Sequence, residues 1–231
     1  MIVIEHKGKK DLLKVLRECV NVDADNFFPL IQGNKKCTWQ RVAWDYAKEH
    51  AKLKRKDIYD EEETYNSIIG DITEAFFEVY AKLLLVNNAQ LRVINHTSYD
   101  KFYVGFDLIG FSGPNGDIPT KFQIKYRTQQ KGKEHKFTQS ELFTFFARAE
   151  EEKISRDFLF LVDFCSSLTE SKSCEVFTFN REERDYMFKR CKVITGRMMQ
   201  DSIIKTYQND RNMKHPLTIF YEQAISVIEN S

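Results

Sequence analysis

Four prolines and nine glycines in 231 residues are few. So sparse a supply of chain breakers excludes collagen-like, proline-rich and glycine-linker architectures. It leaves room for long uninterrupted helices and strands. The five cysteines (Cys19, Cys37, Cys165, Cys174 and Cys191) are odd in number, scattered and without a C-x-x-C pair. That pattern excludes a disulfide framework and a thiolate zinc site, and it points to a reducing, intracellular compartment, cytoplasm or nucleoid or nucleus. No apolar run reaches membrane length and no cleavable leader is visible, so no membrane partner is expected. An excess of one charge sign is also missing: 35 Lys and Arg against 34 Asp and Glu leave +1, so bulk electrostatics announces no polyanion. GxxxxGK[ST], GxSxG and HExxH are absent, which removes a P-loop motor, a nucleophile-elbow hydrolase and a zincin.

What is present is aromatic and locally charged. Nineteen Phe and ten Tyr can fill a sizeable core, and 42% hydrophobic with 30% charged residues reads as a globular chain. The segment from Lys121 to Lys136 holds Lys121, Lys125, Arg127, Lys131, Lys133 and Lys136 against Glu134 alone. Such a patch guides phosphate without a high overall pI, although a solvated lysine-rich surface would look the same.

Periodicity places the elements. KKDLLKVLRECV (9–20) and TWQRVAWDYAKEHAKLK (38–54) read as amphipathic helices in a helical extension over 1–60. From Asp60 to Leu85, apolar Tyr65, Ile68, Ile69, Ile72, Phe76, Val79, Tyr80 and Leu83 keep helical spacing. Strand patterns follow at 90–97, 101–111 and 120–127, the last two joined by the turn signal SGPNGDIP. A helix is expected over 138–153 and strands over 157–164 and 174–180. Helices close the chain at 181–191, 198–208 and near TIFYEQAISVIEN. The order predicts an α/β fold: a mixed central β-sheet flanked by helices over 61–231, with a C-terminal helical lobe, as one compact unit.

Three elements carry candidate chemistry. In TKFQIKYR, alternation puts Phe122, Ile124 and Tyr126 on one face and Gln123, Lys125 and Arg127 on the other. In KFYVGFDLIGF, Asp107 is flanked by apolar Phe106 and Leu108, and a lone charge there must be compensated. Pairing of the two strands brings Asp107 beside Gln123 and Lys125, with side-chain-free Gly105 leaving room. A lysine, a metal ion or both would balance the acid. On the long helix, at about 100° per residue, Ser67, Asp71, Glu78 and Lys82 share a polar side, on which Glu78 is expected to be solvated. Glu74 sits at its border with a strip of Gly70, Phe77 and Ala81, and is the better candidate to point across a helix–sheet junction.

The succession G-x-x-x-E on a helix (Gly70, Glu74), Asp107 in YVGFD, Gln123-x-Lys125 on the next strand, then a helix and the apolar FLFLVDF resembles the PD-(D/E)xK nuclease superfamily, over about Gly70 to Phe164. The resemblance implies a restriction-endonuclease-like core and a metal-dependent nuclease, most simply an endonuclease. Asp107, Glu74 and Gln123 would hold Mg²⁺ (or Mn²⁺), and Lys125 would position the attacking water or stabilise developing charge. It implies DNA as substrate, double-stranded rather than single-stranded, with Arg127, Lys131, Lys133 and Lys136 contacting phosphates. Helicase or methylase partners accompany such domains, and the terminal helical parts are open to gripping substrate or forming a homodimer. Two features depart from the pattern: Gln123 stands where the common motif has a carboxylate, and Phe106 stands where it has proline. Two rivals therefore stay open. One is a catalytically inactive nuclease-like module that binds nucleic acid or a protein partner. The other is a siteless interaction domain in which Asp107 simply pairs with Lys125.

Overall fold

A computed structural model describes residues 2–21, 38–54, 61–85, 93–96, 106–112, 117–125, 139–164, 189–208 and 214–231. The chain divides into two compact units: Met1–Leu84 with Met199–Ser231, and Leu85–Met198. The division therefore does not fall near residue 60. The long helix, grouped with the sheet in the sequence-based division, belongs with the N-terminal helices and the chain end.

The first unit is helical. Helices α1 (Lys9–Val20), α2 (Thr38–Lys54) and α3 (Glu61–Tyr80, extended by a π-helical turn Ala81–Leu85) start and stop close to where periodicity predicted. In α1, Leu12, Val15, Leu16 and Cys19 form the buried stripe, with Asp11 in the first turn and Arg17 in the last complementing the helix dipole. The last helix of the chain, Pro216–Glu229, opens on His215. Its side chain accepts the Leu217 N–H, while Pro216 fills the first helical position, where its missing N–H costs nothing. Its Phe220 meets Phe76 of α3 edge-on at 5.7 Å.

Helix α3 departs from the expected half-solvated cylinder. Ile72, Thr73, Ala75, Phe76, Phe77, Glu78, Val79, Tyr80 and Ala81 are all buried. From Asp71 to Lys82 its polar stripe is met by the segment Ile2–Gly8, while Ser67 is exposed. Glu78, expected in solvent, is 0% exposed. Its carboxylate accepts the backbone N–H of Glu5 at 3.0 Å and of His6 at 2.9 Å, and the Lys82 ammonium at 2.6 Å. Lys82 also donates to the Val3 carbonyl at 2.6 Å, and Lys7 pairs with Asp71 at 3.0 Å. Gly8 lies so close that an added Cβ would sit 2.4 Å from the Asp71 carbonyl oxygen. A buried carboxylate persists only with such a set of donors.

The second unit is built on a mixed sheet. Among the described residues it has five strands in the order β1-β2-β3-β4-β5: Val93–His96, Leu108–Ser112, Ile118–Lys125, Leu159–Asp163 and Lys192–Thr195. The first three form an antiparallel meander; β4 and β5 run parallel to β3. Helix α4 (Gln139–Glu151) is the crossover from β3 to β4. Its Leu142, Phe145, Phe146 and Ala149 pack with Phe106, Leu159, Leu161 and Cys191. A parallel strand covered in this way reads as the continuous apolar run LFLV, as in β4. The fold is thus α/β with a mixed sheet and a packed helix, as expected. The short strand KVIT of β5 was not anticipated. The strand expected over 174–180 and residues 181–188 of the helix expected over 181–191 lie outside the described residues, and residues 189 and 190 are helical.

Helix α4 ends in a Schellman motif: Ile154 N–H reaches the Ala149 carbonyl at 2.8 Å and Lys153 N–H the Glu150 carbonyl at 3.1 Å. Lys153 takes the left-handed conformation (φ 55°) that glycine usually supplies. Partly buried Ile154 packs against the α4 cluster and holds the motif closed. Lys121, counted in the basic surface patch, is buried. Its ammonium pairs with Glu152 at 2.7 Å and lies 5.0 Å above the Phe106 ring.

Candidate functional site

Asp107 stands at the point where β2 meets β3, one residue before the ladder of β2 begins. Its backbone N–H donates to the Phe122 carbonyl at 2.8 Å. Its carboxylate Oδ2 accepts two hydrogen bonds, from the backbone N–H of Ile124 and from the side-chain Nε2 of Gln123, each at 2.5 Å. The carboxylate thus caps the end of the ladder, taking the Ile124 N–H in place of a strand carbonyl. This answers how an acid is tolerated between Phe106 and Leu108. The donors at Oδ2 are an amide and a backbone N–H, not the Lys125 ammonium.

Alternation holds as read. Buried Phe122 and Ile124 face one way, and Gln123 and half-buried Lys125 face the other. Lys125 is the last residue of β3, and its carbonyl accepts the Phe164 N–H at 2.9 Å. Parallel register puts it beside Asp163, the last residue of β4, and Asp163 beside Thr195, the last residue of β5. Asp163 is 1% exposed. Thr195 caps the helix that follows, its Oγ1 accepting the Met198 N–H at 3.2 Å. The carboxyl-terminal edge of the parallel strands therefore carries a row of polar side chains, where open α/β sheets take their ligands. Asp163 was missed in the sequence because it closes an apolar run. An acid at the end of a parallel-type strand is the signal that would have found it.

Glu74 belongs to the helical unit. Among the described residues, His6, Asp71 and Glu74 form the one group of three His, Cys, Asp or Glu side chains whose ligand atoms lie within 4.8 Å of one another. The hydrogen bonds define its chemistry. Gly8 N–H donates to His6 Nδ1 at 2.8 Å, so the ring proton sits on Nε2, 3.0 Å from Glu74 Oε2. A protonated Nε2 has no lone pair to offer a cation. The trio is a histidine–glutamate hydrogen bond tied to the Ile2–Gly8 segment, and in this state it does not fit a metal.

The donor set at Asp107 fits a hard cation in part. A carboxylate suits Mg²⁺ or Mn²⁺, and Asp107 supplies one at the sheet edge. Gln123 turns its nitrogen, not its oxygen, toward Asp107, so in this orientation it positions the acid rather than adding a ligand. Gly105 and the expected phosphate contacts Arg127, Lys131, Lys133 and Lys136 lie outside the described residues. No family model, curated protein or solved structure matches the chain.

Proposed function

We propose that this chain is a metal-dependent nuclease that hydrolyses phosphodiester bonds of DNA, as an endonuclease, on a restriction-endonuclease-like core. The observation that carries the reading is the Asp107 carboxylate, pinned by Gln123 and the Ile124 N–H at the β2–β3 junction, with Lys125 two residues farther along the same strand. The antiparallel meander, the crossover helix and the parallel fourth strand support it as the scaffold that such a site requires.

In this reading the Asp107 carboxylate holds the cation, and Gln123 and the Ile124 N–H fix its direction. Lys125, at the ligand-taking edge of the sheet, places its ammonium against the phosphate and stabilises charge that develops there. A bound Mg²⁺ or Mn²⁺ would supply charge neutralisation and a more acidic water. Arg127, Lys131, Lys133 and Lys136 would hold the DNA backbone without reading sequence.

Nicking of supercoiled plasmid with Mg²⁺ or Mn²⁺ tests the reading. The wild-type protein should nick, and Asp107→Asn and Lys125→Ala should not. Glu74, which the resemblance also implicates, is tested by Glu74→Ala in the same assay. The amide that Gln123 gives to Asp107 favours one second reading, a nuclease-like module that binds nucleic acid or a protein partner without cutting. Metal-independent DNA binding with no nicked product would establish that alternative.

A further inference from the structure

Among the described residues the large exposed hydrophobics are Ile2, Val3, Phe143 and Met198, and the last two belong to the sheet unit. Single apolar residues are ordinary on a surface, so their place decides what they mean. The ends of α4 are fixed by its contacts and by the chain. Its last turn lies beside the start of β4: Glu152 pairs with Lys121 at 2.7 Å, and Lys121 is in register with Leu159. Farther back along α4, Phe145 meets Phe106, the neighbour of Asp107, edge-on at 5.8 Å. Helix α4 therefore runs in reverse along β3, with Phe143 beyond Phe145 on the side away from Glu152. Glu152 to Phe143 is about 13 Å of helix, and Lys121 to Lys125 is about 13 Å of strand. Phe143 thus stands level with the carboxyl-terminal edge at Lys125. Met198, three residues past the end of β5, stands at the same edge.

The ring of Phe143 is 70% exposed. It is turned about 100° from Leu142, out of the face that Leu142, Phe145, Phe146 and Ala149 bury against the sheet. The acids Glu150, Glu151 and Glu152, which would repel a polyanion, sit at the far end of α4. A flat ring in solvent at an edge that holds phosphate takes a nucleic-acid base by stacking, whatever its sequence. In an intact duplex both faces of a base are already covered by its neighbours, so the ring needs a base that can leave the stack. We infer that Phe143 stacks on a base of the bound DNA near the phosphate held at Asp107 and Lys125, and that the substrate is therefore single-stranded or partly unpaired DNA. The inference rests on the nuclease reading above, which brings DNA to this edge.

Anisotropy titrations of a labelled single-stranded oligonucleotide and of its blunt duplex, with Ca²⁺ in place of Mg²⁺, test it. Wild-type protein should bind the single strand more tightly. Phe143→Ala and Phe143→Leu should raise the single-strand Kd roughly 10- to 100-fold, with a smaller effect on the duplex. Phe143→Tyr should keep the wild-type value. An exposed site predicts unchanged melting temperatures for all three. Phe143→Trp adds a readout that a structural role would not move: the single strand should quench its emission beyond the background set by Trp39 and Trp44. Full affinity in Phe143→Leu, or no added quench in Phe143→Trp, overturns stacking. Binding that Lys125→Ala weakens but Phe143→Ala does not overturns this inference alone. Wild-type protein that binds neither DNA and nicks no plasmid overturns the nuclease reading and this inference with it.

Discussion

Removing the Glu78 carboxylate should cost the helical unit a large part of its stability. Three donors converge on it: the fully buried His6 N–H, the part-buried Glu5 N–H and the Lys82 ammonium. Glu78→Ala takes this acceptor from the Glu5 and His6 N–H groups and one partner from Lys82, which keeps the Val3 carbonyl. A buried donor left without an acceptor costs about 1–3 kcal/mol, while water can reach Glu5 and Lys82 and soften their share. The sum is about 3–5 kcal/mol, in line with breaking a buried pair by removing one partner. For a chain of this size, each kcal/mol moves the melting temperature by about 2–4 °C, so the fall should be about 10 °C. Glu78→Gln keeps the shape and one acceptor oxygen but turns an NH₂ on a donor, and should lose roughly half as much. Urea unfolding of the three proteins measures the difference, and hydrogen exchange should show lost protection at the Glu5 and His6 amides. A Glu78→Ala protein within about 1 kcal/mol of wild type would refute the clamp between Ile2–Gly8 and α3.

The remaining predictions concern the sheet unit. Asp107→Asn keeps one oxygen for the Ile124 and Gln123 donors, so it should fold within about 1 kcal/mol of wild type, whereas Asp107→Ala strands them at about 1–3 kcal/mol; equal urea midpoints for the two variants would contradict the capping role. Lys153→Gly relieves a left-handed lysine in the Schellman turn and should stabilise by about 0.5–1 kcal/mol; a lower melting temperature would count against it. Burial pushes the Cys191 thiol up from 9.0 to about 12, against a smaller pull from Arg156 and Arg190. The folded state therefore holds this proton more tightly than the unfolded chain, and the associated stability is complete below pH 9.0 and lost as pH rises toward about 12. Mapped alkylation under mildly alkaline conditions should spare Cys191 until the protein is unfolded, and native-state labelling at the unfolded rate would sink the assignment.

Much of the architecture was legible because it rests on local pattern. The apolar stripes of KKDLLKVLRECV and TWQRVAWDYAKEHAKLK set α1 and α2 to the residue. Alternation in TKFQIKYR set the faces of β3. The Asp107–Gln123 neighbourhood was legible too, since pairing of two adjacent strands across a turn follows from their order. The donor identity was not: that the backbone of Ile124 and the amide of Gln123 satisfy the acid depends on where the β2 ladder begins. Glu78 was misread because a helical wheel shows which residues share a side but not what covers it, and the Ile2–Gly8 segment has no periodicity of its own. Lys121 was misread for a related reason. Its partners Glu152 and Phe106 come from separate elements, which only the crossover through α4 brings together. Asp163 escaped notice because parallel register, a long-range property, is what places it beside Lys125.

Plasmid nicking by wild-type, Asp107→Asn and Lys125→Ala proteins in Mn²⁺, each first shown to melt at a similar temperature, tests the central claim most directly. The account predicts metal-dependent nicking by the wild type and its loss in both variants. Nicking that survives in the folded Asp107→Asn protein would contradict it.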